Sequence, residues 1–426
     1  MNVAENQARN FLQLLGKLRP HWRRDPALPR RIQSLLTGER RFGSRDRRLY
    51  RELVYTTLRY LPWIEPLLDH DAGEAIRRMA WLAAETPATK AFCATFARGE
   101  PPAGDRTELL PAWFRDHCPE IFSGAELDAQ LRRASLWLRL QTDDAGTAKV
   151  LGEFSNRAWQ WRRSSVLPDA VELLSEADVT QTDAWHDGRV EVQDLGSQMI
   201  LASIGLARGE RWLDACAGAG GKSLQLARLL GPAGHVDAHD VRADALEELR
   251  TRATRAGMIV AAVCDGRSGE PGGHRPPLQD EPGGHGPPLQ GHAAITLRPG
   301  RVADNVAYDG VLVDAPCSGS GTWRRFPHLK WSITPDLVAQ RAALQQKLLA
   351  DFAPRVRPGG RLVYATCSLS RCENEDVVAA FLADHSDFRP EPFAATFGFA
   401  VRGNGLTILP SRHDTDGFFV ASLRRA

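Results

Sequence analysis

The chain has 426 residues and a net charge of +2, with 43% hydrophobic and 25% charged residues. This length predicts two or three domains, and this composition is typical of a globular protein with a large core. No apolar run reaches the ~18–20 residues that span a bilayer, and the first residues lack the basic and apolar pattern of a signal peptide. We therefore expect a cytoplasmic protein without a membrane segment.

The seven cysteines show no regular pairing along the chain. They are Cys93, Cys118, Cys216, Cys264, Cys317, Cys367 and Cys372. Zinc sites usually contain C-x-x-C pairs or Cys/His clusters, and disulfide frameworks usually contain an even number of cysteines. The pattern therefore predicts reduced thiols and no metal site.

Residues 1–100 are predicted to form a basic helical domain. Residues 1–60 contain 14 Lys and Arg against 5 Asp and Glu, and apolar residues recur at near-helical spacing between positions 40 and 68. The arginines between these apolar positions are Arg45, Arg47, Arg48 and Arg51. A basic helical face suits a nucleic-acid backbone, although a solvated helix surface shows the same pattern.

Residues 105–190 contain short apolar stretches separated by charges, and we expect a small α+β adaptor there. From residue 191 to 426 the pattern changes to an alternation of strand, glycine turn, helix and strand. The candidate strands cover residues 211–214, 235–239, 258–264, 310–313 and 361–365. Alternation of this kind predicts an α/β domain whose parallel sheet is covered by helices on both faces.

A tandem repeat interrupts this domain at residues 268–292. The decapeptides EPGGHRPPLQ and EPGGHGPPLQ follow each other at an offset of 11 positions. They are rich in Pro and Gly and nearly free of core-forming residues, which predicts a disordered surface insertion. The two histidines of the repeat, His274 and His285, are not expected to bind a metal.

A glycine-rich loop follows the first candidate strand. Residues 214–223 (DACAGAGGKS) precede a helix predicted at 224–230, and glycines let the backbone approach a ligand at a helix N-terminus. The letters GKS are similar to the phosphate loop of nucleotide hydrolases, but that loop needs a glycine where Cys216 stands. An RNA-binding nucleotide hydrolase is therefore the weaker alternative.

Three acids follow the next candidate strands, namely Asp240, Asp265 and Asp314. A carboxylate at the end of a strand can hold ribose hydroxyls. A ring of carboxylates disfavours a triphosphate but suits adenosine that carries a cationic sulfonium. The loop and the acids together predict a Rossmann-like domain that binds S-adenosylmethionine.

Cys317 and Cys367 each follow a candidate strand. Open α/β sheets bind ligands at the carboxyl ends of their strands, so both cysteines should face the cofactor cleft. Carbon 5 of cytosine becomes nucleophilic enough to take a methyl group when a thiolate adds to carbon 6. Asp314 is the candidate for stabilising this adduct near ring N3. The pattern predicts cytosine-5 methylation of a base that has left its stack.

These features form one ordered series of motifs. It comprises residues 192–198 (VQDLGSQ), 214–223, 265–267 (DGR), 314–319 (DAPCSG), 324–331 (RRFPHLKW), 358–360 (PGG), 364–368 (YATCS), 373–374 (EN) and 416–419 (DGFF). In this series, from about residue 193 to the C-terminus, the chain resembles the NOL1/NOP2/Sun family of RNA cytosine-5 methyltransferases. The resemblance implies a Rossmann-like fold that uses S-adenosylmethionine.

The resemblance also implies roles for individual residues. Cys367 matches the nucleophile of the family, and Cys317 matches the cysteine that assists product release. Lys222 and Asp314 would support the catalytic site. The residues implied to contact S-adenosylmethionine are Cys216, Ala217, Gly218, Ala219, Gly220, Gly221, Lys222, Asp240, Asp265 and Asp314.

The N-terminal residues 42–46 and 53–68 are similar to the NusB-like RNA-binding domain of bacterial members, which implies 16S ribosomal RNA as the substrate. Transfer RNA or another RNA is an open alternative, and so is a non-catalytic RNA-binding factor with the same fold. Three cations after the Pro-Cys motif are candidates for holding RNA phosphates, unless they form a solvated loop. They are Arg324, Arg325 and Lys330. A monomer is favoured.

Overall fold

The computed structural model describes residues 3–262, 291–300 and 306–426. The predictions that fall outside these ranges concern Asp265 and most of the tandem-repeat insertion, with its two histidines. Among the helices in the described ranges, none combines the length and the apolar character that crossing a bilayer requires.

The N-terminal part is helical, as predicted for residues 1–100. Its helices are α1 (Val3–Leu18), α2 (Leu28–Gly38), α3 (Ser44–Arg59), α4 (Leu61–Ile64), α5 (Leu67–His70), α6 (Ala72–Leu82) and α7 (Lys90–Phe96). Apolar side chains from these helices share one core, in which Phe11, Leu53 and Phe92 are completely buried. The likeness of this part to NusB stays a prediction.

The predicted adaptor contributes to two different cores. Its first half contains short 3-10 turns and α8 (Gly124–Leu131), and its apolar side chains pack against Trp323 and Leu369 of the C-terminal part. Its second half forms a four-stranded antiparallel sheet of order β2-β3-β1-β4 with a core of its own. The elements are β1 (Leu136–Leu140), α9 (Asp144–Asn156), β2 (Trp161–Arg163), β3 (Ala170–Leu173), α10 (Asp183–His186) and β4 (Val190–Val192).

The C-terminal part is an α/β domain, as predicted. Its elements are α11 (Leu195–Ala202), β5 (Arg211–Asp214), α12 (Gly221–Leu230), β6 (His235–Asp240), α13 (Ala243–Arg255), β7 (Val260–Ala262), β8 (Ala294–Pro299), β9 (Tyr308–Asp314), α14 (Leu329–Ser332), α15 (Pro335–Phe352), β10 (Val356–Thr366), α16 (Glu375–Asp384), β11 (Phe388–Pro390), β12 (Val401–Arg402), β13 (Gly405–Ile408), α17 (Pro410–His413) and β14 (Phe418–Arg425).

Within the described ranges the sheet of this domain has ten strands. The order is β12-β13-β14-β10-β9-β5-β6-β8-β7, and β11 pairs with β14. Neighbours from β10 to β7 are parallel, whereas β14 is antiparallel to β10, β13 and β11. The sequence alternation thus predicted the parallel part, and the antiparallel C-terminal strands were not predicted.

Helices cover both faces of the sheet because the strands are apolar on both sides. Along β9, Leu312 packs in the core that contains Leu224 of α12. Its neighbours Val311 and Val313 point to the opposite face and pack in the core that contains Leu349 of α15. This burial on both faces holds the carboxyl ends of the parallel strands at one rigid edge.

The strand beside β6 on the side away from β5 is β8, which was not among the candidate strands. The described part of the candidate 258–264 is β7, which lies at the edge of the sheet and pairs with β8. Strand β8 lies between β7 and β6, where Ile295 and Leu297 are buried. Strand β8 was not predicted from the sequence; it begins two residues after the end of the predicted insertion.

Arg324 is an internal link in the structure. Only 1% of this residue is exposed, and its guanidinium donates to the carbonyl oxygens of Thr415 at 2.8 Å and of Arg133 at 3.2 Å. It also forms an ion pair with the carboxylate of Asp414. A buried guanidinium with these acceptors joins the segment before β1 to the C-terminal part of the chain.

Lys330 is a second internal link. It is also 1% exposed, and its ammonium donates to the carbonyl oxygens of Arg59 at 2.8 Å and of Leu109 at 3.0 Å. Burial lowers the pKa of Lys330 well below its usual value, and the nearby Arg59 guanidinium adds to this effect. The neighbouring Trp331 indole donates to the carbonyl oxygen of Leu58 at 2.7 Å. These contacts hold α3 against the catalytic domain.

The structure corrects the prediction that these cations hold RNA phosphates. The donors of Arg324 and Lys330 are occupied by protein carbonyl and carboxylate groups inside the molecule. Arg325 is partly exposed, but it forms ion pairs with Asp416 at 2.8 Å and with Asp194 at 3.2 Å. All three residues therefore fasten parts of the chain together.

We expect Arg324→Ala to lower the free energy of unfolding by more than about 2 kcal/mol, because the variant removes a buried guanidinium and leaves the carbonyl oxygens of Thr415 and Arg133 without their donor. Urea denaturation measures this change. The matched control is Arg48→Ala, which removes an exposed arginine of α3 and should change stability by less than about 0.5 kcal/mol. Equal denaturation midpoints for the two variants would contradict the assigned role.

Candidate active site

The glycine-rich loop between β5 and α12 has a shape that requires glycine. Gly218 and Gly220 have φ angles of +53° and +86°, which other residues rarely adopt. A Cβ atom on Gly220 would also lie 2.4 Å from Cγ of Leu249. The Arg252 guanidinium donates to the carbonyl oxygen of Ala219 at 2.6 Å and holds the loop from outside. The conformation of the loop thus depends on its glycines and on the Arg252 contact.

Asp240 lies beside this loop at the end of β6. Its carboxylate accepts a hydrogen bond from the Gly218 N–H at 2.8 Å and forms an ion pair with Arg242 at 3.0 Å. Burial favours the neutral acid, but the hydrogen bonds from Arg242 and Gly218 outweigh it and lower the pKa of Asp240. The charged carboxylate lies where parallel α/β sheets hold ribose hydroxyls.

A cavity of about 1220 Å³ opens between the loop and the strand ends. Among the residues predicted to bind the cofactor, those that line it are Cys216, Ala217, Gly218, Ala219, Gly221, Lys222, Asp240 and Asp314. Gly220 shapes the turn behind this wall, and Asp265 lies outside the described residues. The structure thus brings the predicted cofactor residues that it describes to one cavity.

Asp314 ends β9 and forms an ion pair with Lys222 in the first turn of α12. The Lys222 Nζ atom lies 2.7 Å from Oδ2 of Asp314. Burial disfavours the charge on Lys222, but the Asp314 carboxylate outweighs it, and the net effect raises the pKa of Lys222. Cys367 acts in the same direction. A charged pair therefore borders the cavity near this thiol.

Cys317 and Cys367 lie side by side at the same edge of the sheet. Their Sγ atoms are 3.4 Å apart. Strands β9 and β10 pair in parallel with Asp314 opposite Ala365, so the loops that follow them begin together. The Gly321 N–H donates to the carbonyl oxygen of Cys367 at 2.9 Å and ties one loop to the other. Two thiols at this separation can act on one ligand ring.

The surroundings of the two thiols differ. The hydrogen-bonded Cys367 sulfur raises the pKa of Cys317 well above its usual value, and burial and the Glu373 carboxylate add to this effect. A thiol that keeps its proton is a poor nucleophile, because the thiolate is the reactive form. The field at the site therefore favours a protonated Cys317, while the Lys222 cation lies near Cys367.

The cavity fits S-adenosylmethionine in its donors and acceptors. The N-terminus of α12 offers free N–H groups for a carboxylate, and Asp240 offers acceptors for ribose hydroxyls. Val241 lies in the same wall and is 87% exposed, which provides an apolar surface for a nucleobase. No group of three or more His, Cys, Asp or Glu residues arranged for a metal occurs in the part of the chain that the structure describes.

Several residues of the site were not assigned by sequence reasoning. Arg242 pairs with Asp240, and its position two residues after that acid is the only signal that the sequence offered. Gln193 and Ser197 line the cavity and belong to the motif VQDLGSQ, whose role was not inferred. Glu373 was quoted as part of a motif, but its contact with the Pro-Cys loop is visible only in the structure.

Asp214, at the start of the glycine-rich loop, makes the stability of the protein depend on pH. It is fully buried at the end of β5 and accepts a hydrogen bond from Ser223 at 2.7 Å. Burial raises the pKa of Asp214 to about 7, whereas an unfolded chain has about 3.9. The folded state thus retains a proton that the unfolded state releases. The resulting stabilisation is full below about pH 3.9 and is lost as the pH rises through about 7.

We therefore expect the melting temperature of the native chain to fall between pH 5 and pH 8 more steeply than that of Asp214→Asn. The asparagine keeps the size of the side chain and the Ser223 contact but does not titrate. Calorimetric melts across this range measure the difference. Parallel curves for the two proteins would contradict a protonated Asp214.

The chain is similar to proteins of known family. A family model described as 16S rRNA methyltransferase RsmB/F matches residues 293–424. The ribosomal RNA small subunit methyltransferase B of Xanthomonas campestris is 30% identical over 426 residues, which covers 90% of this chain and 90% of that protein. The probable ribosomal RNA small subunit methyltransferase B of Bacillus subtilis is 31% identical over 68% of this chain, but the match covers only 59% of its own length.

A solved structure supports the fold. NSun6 from Pyrococcus horikoshii with SFG aligns with a TM-score of 0.58 at 16% identity, over 76% of this chain and 98% of that chain. Identity this low carries the fold alone. The match to the Xanthomonas campestris protein covers nine tenths of both chains and shows the family. The chain belongs to the NOL1/NOP2/Sun family of S-adenosylmethionine-dependent RNA methyltransferases.

Proposed function

We propose that the chain methylates carbon 5 of a cytosine in 16S ribosomal RNA through a covalent bond between Cys367 and carbon 6 of the ring. The observation that carries this proposal is the pair of thiols 3.4 Å apart in the loops after β9 and β10, close to the Lys222–Asp314 ion pair that lines the cavity, although the two cysteines are not among its lining residues. Nitrogen and oxygen atoms have lone pairs and can accept a methyl group without the prior addition of a nucleophile to the ring. Carbon 5 of cytosine can accept it only after a nucleophile has added to carbon 6, and a thiolate can be that nucleophile.

Cys367 performs the first step. Its thiolate adds to carbon 6, and the electron pair of the carbon 5–carbon 6 double bond makes carbon 5 nucleophilic. The Lys222 cation interacts with Cys367. Its partner Asp314 is the candidate for stabilising ring N3, where negative charge gathers, by donating a proton that it takes from Lys222. S-adenosylmethionine supplies the methyl group when it is bound in the cavity.

Cys317 acts in the release of the product. The proton on carbon 5 must leave, the double bond must form again and the bond between Cys367 and carbon 6 must break. Cys317 is a protonated thiol 3.4 Å from Cys367, so it can give its proton to the departing sulfur. In the same step the Cys317 sulfur takes the proton from carbon 5, whose electron pair forms the double bond again as the bond to Cys367 breaks. Both thiols are restored, and the one proton that the reaction releases is the proton that Cys367 gave up on forming its thiolate.

The choice of 16S ribosomal RNA rests on the relatives and on the N-terminal helices. The Xanthomonas campestris and Bacillus subtilis relatives are named as ribosomal RNA small subunit methyltransferases B. The NusB-like similarity of the N-terminal part agrees with a ribosomal substrate. Exposed arginines on α3 supply cations for a phosphate backbone, namely Arg45, Arg48 and Arg51.

We expect Cys367→Ala to lose methyl transfer by more than about 10³-fold, because the variant cannot form the adduct. Its dissociation constant for S-adenosylmethionine should stay within about twofold, since the glycine-rich loop is unchanged. Radiolabel transfer and calorimetric titration measure the two effects. The matched control is Cys372→Ala, a half-buried cysteine outside the pair, which should keep its activity. Near-native turnover by Cys367→Ala would overturn the nucleophile assignment.

We expect Cys317→Ala to add to the ring and transfer the methyl group but to release the product slowly. A covalent RNA–protein species should therefore accumulate, and a denaturing gel with labelled RNA detects it as a retarded band. The double variant Cys317→Ala/Cys367→Ala should give no such band. A band that survives in the double variant, or none in Cys317→Ala, would contradict the two roles.

A further inference from the structure

The Glu373 carboxylate lies at the centre of a hydrogen-bond cluster behind the two cysteines. Glu373 is 0% exposed and ends a short 3-10 turn between β10 and α16. Its Oε1 accepts from the Ser318 N–H at 2.7 Å and from the Gln345 side-chain amide at 3.1 Å. Its Oε2 accepts from the hydroxyls of Ser318 at 2.5 Å and Ser368 at 2.6 Å. Four donors thus converge on one buried carboxylate.

Two of these partners are the residues that follow the cysteines. Ser318 follows Cys317 in the loop after β9, and Ser368 follows Cys367 in the loop after β10. One carboxylate therefore holds both loops at the residue next to each thiol. The hydroxyl of Ser320, 2.9 Å from that of Ser368, adds a direct contact between the loops. The separation of the two sulfur atoms depends on this cluster.

The cluster also shapes the charge around the thiols. The donors to Glu373 are amide and hydroxyl groups, so none of them cancels its negative charge. That charge acts on Cys317, whose pKa it helps to raise. Lys222 is a cation that interacts with Cys367. The thiol pair thus lies near both a carboxylate, which disfavours a second negative charge, and an ammonium, which favours one.

We infer that Glu373 is the positioning residue of the cysteine pair: through Ser318 and Ser368 it holds the loops after β9 and β10 and so sets the distance between the two sulfur atoms. This role requires no contact with RNA or cofactor, because Glu373 acts through the two serines and through its charge. The inference deepens the proposed function and rests on it in one respect, namely that both thiols act on one cytosine.

Glu373→Gln tests this inference because glutamine keeps the size of the side chain and removes the charge. We expect kcat to fall about 10²-fold, as for a misplacement of roughly 1 Å at a reacting group. KM for RNA and for S-adenosylmethionine should stay within about twofold. Alkylation of each cysteine by iodoacetamide, followed by peptide mass spectrometry against pH, should show the Cys317 midpoint moved to lower pH. A purely structural role would not move that midpoint in a folded variant.

The control is Glu375→Gln, which removes a half-buried carboxylate two residues away whose contact is with Thr407 at 3.3 Å. It should leave kcat and the Cys317 profile unchanged. If Glu373→Gln does not fold, Ser318→Ala removes one donor from the cluster and should lower kcat about tenfold while the protein still binds S-adenosylmethionine.

Unchanged kcat and an unchanged Cys317 profile in folded Glu373→Gln would overturn the inference, and so would native kcat in Ser318→Ala. The alkylation profile needs no methyl transfer, so it reports on Glu373 even if the cysteines serve another reaction. Failure of the proposed function would show instead as full activity of Cys367→Ala. The two failures are therefore distinguishable.

Discussion

The parallel pairing of β9 with β10 determines where chemistry can occur in this molecule. Because Asp314 lies opposite Ala365, both strands end at the same edge and their loops begin side by side. A register shifted by two residues would move one loop by about 7 Å along the sheet, since a strand rises about 3.3 Å per residue. The contact between Cys317 and Cys367 would then be lost.

Contacts from the adaptor sheet and charged residues of the cavity meet at this same edge of the sheet. Glu191 of β4 is buried and holds the guanidinium of Arg252 at 2.8 Å, and Arg252 in turn holds the carbonyl of Ala219 in the glycine-rich loop. The adaptor thereby supports the loop from outside. On the inside, Asp240 at the end of β6 and the Lys222–Asp314 pair at the end of β9 place charges along the cavity, which suits a ligand with both hydroxyls and a cation.

The sequence was most informative where reactive or charged residues directly follow a predicted strand. Cys367 and Lys222 could be predicted to lie near each other because the carboxyl ends of parallel strands meet at one edge of the sheet. Strand β8 was not predicted from the sequence. Its neighbours in the sheet, β6 and β7, both precede the repeat, whereas β8 follows it. Arg324 was misread because a charged residue in a loop is usually exposed, and burial depends on distant carbonyl groups. Glu373 contacts Ser318, 55 positions away, so its role is visible only in the fold.

The central claim is that this chain makes 5-methylcytosine in 16S ribosomal RNA. Its most direct test is methyl transfer from radiolabelled S-adenosylmethionine to total RNA from a strain that lacks the gene, followed by bisulfite sequencing. The account predicts label in 16S ribosomal RNA at a single cytosine that resists bisulfite. Label in transfer RNA would keep the chemistry and overturn the substrate. Label at a base other than cytosine, or no label in any RNA, would contradict the account.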